Sequence, residues 1–299
     1  MNLDQIYTQS FCRNLGLISV EEQLDLRNSR VAIPGMGGAG GVHLTTLLRT
    51  GIGKFNIADF DKFDYVNFNR QYGAFVDTVG KEKVEVMKKI ALNINPSADI
   101  KCFSKGINES NIDEFLDDVD VVVDSLDVFV PKVRRMLFNK AREKGIYVVS
   151  AGPVGFSSIS LVFSPTGMSF DQFFGLKDEL TSDEMLVRFL AGLAASGTHF
   201  KYMDPKKVDP ESGAAPSLGL ACQLISGIAA SEVVNILLKR KPVKSVPWKF
   251  QFDPYSHKYI KRYFFLGARN PLFRLRLAVI NRLIKMKSLS KQTQTNEQN

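Results

Sequence analysis

Residues 30–40 read RVAIPGMGGAG, a short apolar run that leads directly into a cluster of glycines. We predict a strand over Arg30–Ile33 and a helix that follows the glycines through Arg49. Glycines at such a junction let the backbone approach a phosphate, and the helix N-terminus offers unpaired N–H groups to it. The candidate nucleotide-binding glycines are Gly35, Gly37, Gly38 and Gly40. Many dehydrogenases share such a loop, so it does not by itself define a reaction.

The segments around this loop alternate between strand and helix patterns. We predict strands at Lys54–Ala58, Asp99–Phe103, Asp120–Asp124 and Ile146–Ser150. We predict helices at Val79–Asn95, Asn111–Leu116 and Lys132–Lys144. Strands and helices that alternate with short links predict an α/β fold with a doubly wound, mostly parallel, Rossmann-like sheet.

After Ala151 the pattern changes. Phe156–Phe163 and the pieces within Val246–Tyr263 predict an antiparallel C-terminal extension of the sheet. Between them we expect a helix at Asp183–Ala194 and a long buried helix at Leu218–Leu238. We therefore divide the chain into a nucleotide-binding domain (1–238, with a crossover, substrate-facing segment at 151–217), a basic extension (239–287) and a disordered tail (288–299).

The composition narrows the class of protein. The 299 residues are 44% hydrophobic and 23% charged, which excludes a disordered or fibrous chain. Three cysteines, without a C-x-x-C pair, exclude a disulfide scaffold and a four-cysteine zinc site, so we expect no zinc. The N-terminal MNLDQIYTQS lacks the basic start and apolar core of a signal peptide. We expect a cytoplasmic protein.

The net charge of +8 is concentrated at the C-terminal end. From Lys239 onward the sequence holds 15 Lys and Arg against only Asp253 and Glu297. Pro271–Lys287 predicts a basic amphipathic helix with one apolar face made of Leu272, Leu275, Val279, Ile280 and Leu283. This helix packs on the body or on a dimer partner, docks on an acidic membrane surface, or contacts RNA. We expect the aromatic run Tyr263–Phe265 to pack in the core.

A set of polar and charged residues follows the second predicted strand. Asp59 ends that strand, where a carboxylate can accept hydrogen bonds from ribose hydroxyls. The set continues with Asp61, Asn67, Arg70, Gln71 and Lys83. An arginine can bind two phosphate oxygens and a lysine offers a mobile point charge. Asp127, beyond the strand Asp120–Asp124, could hold Mg²⁺.

Paired cations favour one reaction over another. Attack on an α-phosphate expels pyrophosphate, and the negative charge that develops must be met by fixed cations and a metal. Hydride transfer needs no such pair. Arg70 and Lys83 therefore favour nucleotidyl transfer. A nicotinamide- or flavin-dependent oxidoreductase using the same loop remains the alternative, and a non-enzymatic binding module is a third reading.

From Phe11 to about Leu238 the pattern resembles the ThiF/MoeB/HesA superfamily of adenylating enzymes, which are related to ubiquitin activators. The resemblance implies an ATP- and Mg²⁺-dependent enzyme that joins a carboxylate to AMP. It places the four glycines, Asp59, Asp61, Asn67 and Gln71 on the nucleotide, Arg70 and Lys83 on its phosphates, and Asp127 on the metal. Arg13 matches an arginine that reaches the ATP of the partner subunit, which implies a homodimer.

Two details refine the resemblance. Ubiquitin activators carry a thioester cysteine in the region that corresponds to Ser164–Pro216, and this segment has none, which implies direct transfer of the acyl group. Asp124-Ser125-Leu126-Asp127 followed by Pro131-Lys132 resembles the tRNA threonylcarbamoyladenosine dehydratase branch. The carboxylate is then borne by a modified tRNA, while the C-terminus of a small protein or peptide remains an open alternative.

Overall fold

A computed structural model describes residues 1–193, 197–204, 207 and 215–282. One mixed sheet of eight strands runs through it in the order β3-β2-β1-β4-β5-β6-β7-β8. The strands are β1 Arg30–Pro34, β2 Lys54–Ala58, β3 Asp99–Phe103, β4 Val121–Asp124, β5 Tyr147–Val154, β6 Ser157–Phe163, β7 Trp248–Asp253 and β8 Lys258–Tyr263.

The sheet combines a parallel and an antiparallel part. Strands β3, β2, β1, β4 and β5 pair in parallel, and β6, β7 and β8 continue the sheet antiparallel. The direction changes at the two-residue link after β5, where Gly155 has a φ of +61°. A link this short can only return the chain alongside its own strand. The predicted Rossmann-like sheet with an antiparallel extension is confirmed.

Helices flank the sheet on both faces. They are α1 Leu3–Phe11, α2 Val20–Asn28, α3 Gly38–Thr50, α4 Lys83–Ile94, α5 Ile112–Phe115, α6 Pro131–Glu143, α7 Phe170–Phe174, α8 Ser182–Leu193 and α9 Gly219–Leu238, followed by α10 at 271–282. The part of the last predicted helix at 283–287 and the tail at 288–299 lie outside the described residues.

The helix predicted at Val79–Asn95 begins only at Lys83, so its predicted start was wrong. Gly80 has a φ of +82°, and its N–H donates to the Phe63 carbonyl at 2.8 Å. A left-handed residue cannot continue an α-helix. The chain therefore turns before α4 and brings Lys83 next to the segment that follows β2.

Each face of the sheet has its own apolar layer. One layer joins α3, α4 and α9 to the sheet through side chains such as Leu44, Met87 and Ile225. The other joins helices α5, α6, α7 and α8 to the sheet through a phenylalanine-rich cluster that includes Phe115 and Phe138. Helix α9 is long and apolar enough, by length and composition, to cross a membrane. It packs against α3, β5 and β6, so its composition reflects burial in the fold, as predicted.

The N-terminal helices pack at the far end of α3. The Tyr7 hydroxyl donates to the Gly51 carbonyl at 2.5 Å, and the Asn14 side-chain amide donates to the Thr50 carbonyl at 3.1 Å. Both acceptors lie at the C-terminal end of α3. The segment that carries Arg13 is thereby fixed near the amino ends of the parallel strands.

The aromatic run Tyr263–Phe265, at the end of β8, departs from the expected burial. Phe264 is buried, but Tyr263 and Phe265 are 53% and 62% exposed. The prediction that the whole run packs in the core was therefore wrong for two of its three residues. Successive side chains of an extended segment point in opposite directions, which lets only Phe264 reach the layer beneath.

Helix α3 contains a histidine whose titration should govern acid stability. His43 is 1% exposed, and burial lowers its pKa from 6.5 to about 4. Because the unfolded chain then binds more protons between pH 6.5 and 4, the free energy of unfolding falls as the pH falls through that window. We expect His43 to contribute about 3 kcal/mol of this loss. Urea unfolding at several pH values measures it, because the free energy of unfolding should depend less steeply on pH in His43→Leu than in the wild type.

An exposed histidine supplies the control. His257 lies in the turn between β7 and β8 and is exposed, and His257→Asn is measured beside His43→Leu under the same conditions. An equal slope in wild type and His43→Leu would contradict the assignment.

Candidate nucleotide site at the carboxyl edge of the sheet

The glycine loop lies where the strand order reverses. Strand β1 pairs with β2 on one side and β4 on the other, and a crevice opens at such a switch point. Gly35 has a φ of +95°, and a β-carbon on it would lie 2.5 Å from the Ser125 carbonyl oxygen. The loops after β1 and β4 therefore touch, which only glycine permits at this position.

The start of α3 is open to a ligand. Gly37 precedes the helix without a side-chain cap, so the first N–H groups of the helix have no capping partner from that residue. A β-carbon on Gly40 would overlap the Gly35 carbonyl. The backbone is thus folded tightly upon itself, with the positive end of the α3 dipole at the crevice.

Asp59 follows β2 and braces the glycine loop. One carboxylate oxygen accepts the N–H of Met36 at 2.6 Å and the other accepts the N–H of Asp61 at 2.8 Å. Burial raises the pKa of Asp59, while these hydrogen bonds and the nearby Lys83 oppose the increase. The predicted ribose ligand therefore lies at the crevice and is held in place by the loop it borders.

Lys83 and Asp61 form an ion pair at this edge. The Lys83 ammonium lies 2.9 Å from an Asp61 carboxylate oxygen, with the lysine side chain 6% exposed and the aspartate side chain 52% exposed. The Lys83 N–H also donates to the Asp61 carbonyl at 3.0 Å. The structure thus places Asp61, predicted as a nucleotide ligand, as the partner of the lysine predicted to bind phosphate.

Arg70 and Gln71 meet the first turn of α3. A β-carbon on Gly38 would lie 3.3 Å from Cγ of Arg70, and one on Gly37 would lie 3.7 Å from Nε2 of Gln71. Gln71 is buried, and its Oε1 has no hydrogen-bond partner among the described residues. A buried polar atom without a partner is costly, which indicates a place for a polar ligand beside the loop.

The segment that carries these side chains is held by local hydrogen bonds. Oδ1 of Asn67 accepts the N–H of Asp64 at 3.1 Å, so this predicted ligand caps the 3₁₀ turn Tyr65–Asn67. The Arg70 guanidinium donates to the Val66 carbonyl at 3.0 Å and to the Asn69 side chain at 2.9 Å. These bonds leave other guanidinium N–H groups of Arg70 to bind an anion.

The loop after β4 is fixed by a buried ion pair. Asp124 lies 3.0 Å from Arg134, both side chains being 4% exposed or less, and it accepts a hydrogen bond from the Ser150 hydroxyl at 2.8 Å. Arg134 also donates to the carbonyls of Leu126 and Asp127. The sequence pattern missed Arg134 and Ser150 as positioning residues for this loop.

Asp127, the predicted magnesium ligand, stands at the end of that loop. It is exposed, and one of its carboxylate oxygens accepts the N–H of Phe129 at 2.9 Å. Within the described part of the chain no group of three or more His, Cys, Asp or Glu side chains could enclose a metal. A single carboxylate fits Mg²⁺, which usually takes one or two protein carboxylates together with substrate phosphates and waters.

Arg13 does not reach the glycine loop of its own chain. It neighbours Asn14, which is bonded to the C-terminal end of α3, whereas the glycines lie at the N-terminal end. Helix α3 has 13 residues and is therefore about 20 Å long. Within a single chain, Arg13 therefore lies away from the other residues predicted for the site.

Cys222, predicted as a small core residue, lies beside the site. It is 1% exposed, and its sulfur lies 3.1 Å from where a β-carbon on Gly38 would be. Burial raises the pKa of this thiol, so it stays protonated at neutral pH. The sequence offered no signal for this contact, since Cys222 belongs to α9 and Gly38 to α3.

A switch-point glycine loop, a ribose-side carboxylate and a cluster of cations together define a nucleotide-binding α/β protein. The sequence profile of the ThiF family matches residues 11–272, and the chain belongs to the ThiF family. This finding agrees with the resemblance drawn from the motifs.

Curated relatives match part of the chain. The tRNA threonylcarbamoyladenosine dehydratase of Bacillus subtilis (strain 168) is 35% identical over 127 residues, 42% of this chain and 50% of that protein. Adenylyltransferase and sulfurtransferase UBA4 of Scheffersomyces stipitis is 32% identical over 119 residues, 40% of this chain and 26% of that protein. The chain thus spans half or less of the length of these two relatives.

Solved structures share the fold over most of the chain. PaaA has a TM-score of 0.66 at 20% identity and covers 86% of this chain and 83% of its own. E. coli tRNA N6-threonylcarbamoyladenosine dehydratase, TcdA, has a TM-score of 0.60 at 18% identity, with coverages of 80% and 98%. E. coli MccB with ATP has a TM-score of 0.59 at 20% identity, with coverages of 83% and 66%. At these identities the likeness shows the fold alone.

The Asp124–Arg134 pair should be essential to stability. Asp124→Asn leaves a buried guanidinium without its carboxylate, and we expect the free energy of unfolding to fall by about 3–5 kcal/mol. Asp124→Leu combined with Arg134→Met should cost less than the single change, because no unpaired charge remains. Urea unfolding of the three proteins measures both effects.

The exposed pair Lys101–Asp117, with side chains 42% and 71% exposed, is the control. Asp117→Asn should change the free energy of unfolding by less than about 1 kcal/mol. Equal effects of Asp124→Asn and Asp117→Asn would show that the buried pair has no special role.

Proposed function

We propose that the protein is an ATP-dependent adenylyltransferase that activates a carboxylate as its acyl-adenylate. The observation that carries this proposal is that Arg70 and Lys83 each lie beside a residue of the candidate nucleotide site. Arg70 lies against the first turn of α3, and Lys83 lies beside Asp61, close enough to Asp59 to oppose the rise of its pKa. Two cations beside an open helix N-terminus suit a triphosphate.

The chemistry follows from this arrangement of charges. A carboxylate oxygen of the substrate attacks the α-phosphorus of ATP, and the bond from that phosphorus to the oxygen bridging the α- and β-phosphates breaks. Pyrophosphate leaves with the bonding electrons, and the mixed anhydride of the acyl group and AMP forms. Arg70 and Lys83 would neutralise the charge that grows on the leaving phosphates.

The remaining residues would orient the nucleotide. Asp59 would accept hydrogen bonds from the ribose hydroxyls, and the buried amide of Gln71 would face the phosphates. Asp127 would hold Mg²⁺, which would supply positive charge to the phosphates. The exposed carboxylate of Asp127 has one oxygen bonded to the Phe129 N–H, which leaves the other for such a ligand.

We propose direct transfer from the adenylate, without a thioester intermediate. Nucleophilic cysteines need a thiolate at neutral pH, whereas burial raises the pKa of Cys222 and of Cys102. Cys12 lies at the end of α1, in the segment that the N-terminal contacts hold at the far end of α3. Cys222 and Cys102 are therefore unsuited to accept the acyl group, and Cys12 stands away from the nucleotide of its own chain.

The acyl substrate we favour is a carboxylate on a modified tRNA nucleoside. The match to a tRNA threonylcarbamoyladenosine dehydratase and the loop Asp124–Asp127 followed by Pro131 and Lys132 support this class. The C-terminus of a peptide or small protein is the second candidate, supported by the relative named as an adenylyltransferase and sulfurtransferase.

We propose a cytoplasmic homodimer in which Arg13 serves the nucleotide of the partner. Arg13 lies on a surface with exposed apolar neighbours, Leu15, Leu17 and Val20 being 44%, 82% and 57% exposed. Clustered exposed apolar side chains are typical of contact surfaces. Since α3 separates Arg13 from the glycine loop of its own chain, a second chain would have to bring it to a nucleotide.

Lys83→Ala should abolish adenylation while the fold stays intact. We expect exchange of labelled pyrophosphate into ATP to fall at least about hundredfold, as expected when a group that stabilises the transition-state charge is lost. The assay contains tRNA that carries N6-threonylcarbamoyladenosine, with a peptide bearing a free C-terminus in a parallel arm. Asp127→Ala should have an effect in the same direction.

Lys81→Ala, at an exposed position two residues before Lys83, should leave the exchange rate unchanged. Thermal shifts distinguish the adenylyltransferase from the alternative oxidoreductase, because ATP with Mg²⁺ should stabilise the wild type while NAD⁺ and NADP⁺ should not. Stabilisation by NAD⁺ alone would favour the oxidoreductase. Full exchange activity in both Lys83→Ala and Asp127→Ala would refute the assigned roles.

Mixing two inactive variants should restore activity if Arg13 acts across a dimer. An Arg13→Ala chain keeps Lys83, and a Lys83→Ala chain keeps Arg13, so a mixed dimer contains one complete site. We expect co-expression to recover exchange activity to about half of wild type per mixed dimer. No recovery in mixed dimers purified with two different affinity tags would show that both residues act within one chain.

A further inference from the structure

Helix α10 is attached to the body along one side only. Phe273 is 3% exposed and packs close to Gly192 of α8. The Arg276 guanidinium lies 5.7 Å from the ring centre of Phe264, and the Asn270 side chain accepts the N–H of Leu272 at 2.9 Å. These contacts fix the orientation of the helix relative to the sheet.

The apolar face predicted for this helix turns away from the body. Leu272, Leu275 and Val279 are 59%, 61% and 51% exposed, and their spacing of three and four residues aligns them in one stripe. Phe265 and Leu266, 62% and 45% exposed, belong to the turn just before the helix. Of the predicted apolar face, Ile280 is half-buried and Leu283 lies outside the described residues.

Cations surround this stripe. Helical periodicity places Arg282 along one edge of it, whereas the Arg276 guanidinium, along the other edge, packs on the Phe264 ring. Arg269, Arg274 and Arg282 are exposed and form no ion pair within the described ranges. In the sequence, the stretch between Asp253 and Glu297 contains ten Lys and Arg and no acidic residue.

We infer that α10 docks this protein on the surface of an anionic phospholipid bilayer, with Leu272, Leu275 and Val279 inserted between the headgroups. An amphipathic helix with an apolar stripe and flanking arginines suits this position, since aliphatic side chains enter the acyl boundary while arginines bind lipid phosphates. The helix lies in the plane of the interface and does not cross it. This inference is independent of the proposed adenylation.

Other occupants fit the stripe less well. RNA is recognised by stacking bases on aromatic rings or guanidinium planes, whereas the stripe itself is aliphatic. A second copy related by a two-fold axis would bring the same arginines together, with no acidic residue nearby in sequence to compensate for their repulsion. Charge and side-chain type therefore both favour anionic lipid.

Co-sedimentation of the full-length protein with vesicles tests the inference. We expect binding to an equal mixture of phosphatidylcholine and phosphatidylglycerol and much weaker binding to phosphatidylcholine alone. The triple variant Leu272→Gln, Leu275→Gln, Val279→Gln should lower the partition coefficient on the mixed vesicles at least about tenfold. Arg274→Gln with Arg282→Gln should weaken binding and flatten its dependence on salt.

Matched controls separate this surface from others. Leu3→Gln, Leu24→Gln and Val76→Gln, at residues that are 52%, 48% and 75% exposed elsewhere on the chain, should together bind vesicles like the wild type. Lys83→Ala should do the same, because docking does not use the nucleotide site. The single variant Leu275→Gln should already weaken binding, which keeps the test valid if the triple variant folds poorly.

Three results would overturn the inference. One is wild-type protein that stays in the supernatant with the anionic vesicles. Another is a Leu275→Gln protein that sediments as the wild type does. The third is a triple variant that still binds vesicles as the wild type does but differs in another measurement. A changed mass in sedimentation equilibrium would assign the stripe to a second copy. A lost affinity for tRNA in a filter-binding assay would assign it to RNA.

Discussion

The Gly35 carbonyl occupies the space that a β-carbon on Gly40 would need, and this close backbone contact shapes the whole site. It folds the link between β1 and α3 tightly enough for the helix N-terminus to face the crevice. On its other side Gly35 meets the Ser125 carbonyl, so the loops after β1 and β4 are set relative to each other. Asp59, Arg70 and Gln71 are positioned against the glycine loop.

Charge pairing prepares the site before any ligand arrives. Removing charges from water is costly unless they are paired, and the two least exposed cations near the crevice each have a carboxylate. Lys83 is paired with Asp61 and Arg134 with Asp124. The first pair is half open to solvent, so its lysine can exchange a carboxylate for a phosphate. The second is closed, so it serves to hold a loop.

The two ends of the chain place the two proposed contact surfaces outside the crevice. At the N-terminal end, α1 and α2 fix Arg13 near the far end of α3, which suits a contribution to another chain. At the C-terminal end, α10 presents a stripe of leucine and valine to solvent. Both features depend on how a helix is anchored, by Asn14 and Tyr7 in one case and by Phe273 and Arg276 in the other.

Local sequence patterns were enough to predict the sheet. The strands Lys54–Ala58 and Asp99–Phe103 have their predicted bounds, because apolar periodicity and glycine or proline breaks act within a few residues. The motif spacing also brought Asp59, Arg70, Gln71 and Lys83 to one edge. These residues follow strands or precede helices, and the carboxyl ends of parallel strands meet at the same edge of the sheet.

The sequence by itself determined the fold class and the glycine loop, and it supplied the residue types of the charged cluster. Only the tertiary structure decided that Asp61 pairs with Lys83, that Cys222 lies against Gly38, and that Arg13 stands away from its own glycine loop. It also decided which side of α10 is covered. Phe273 packs beside Gly192, while Leu272, Leu275 and Val279 stay exposed. Such contacts join residues far apart in the chain, and they depend on the packing of whole helices, which no local pattern encodes.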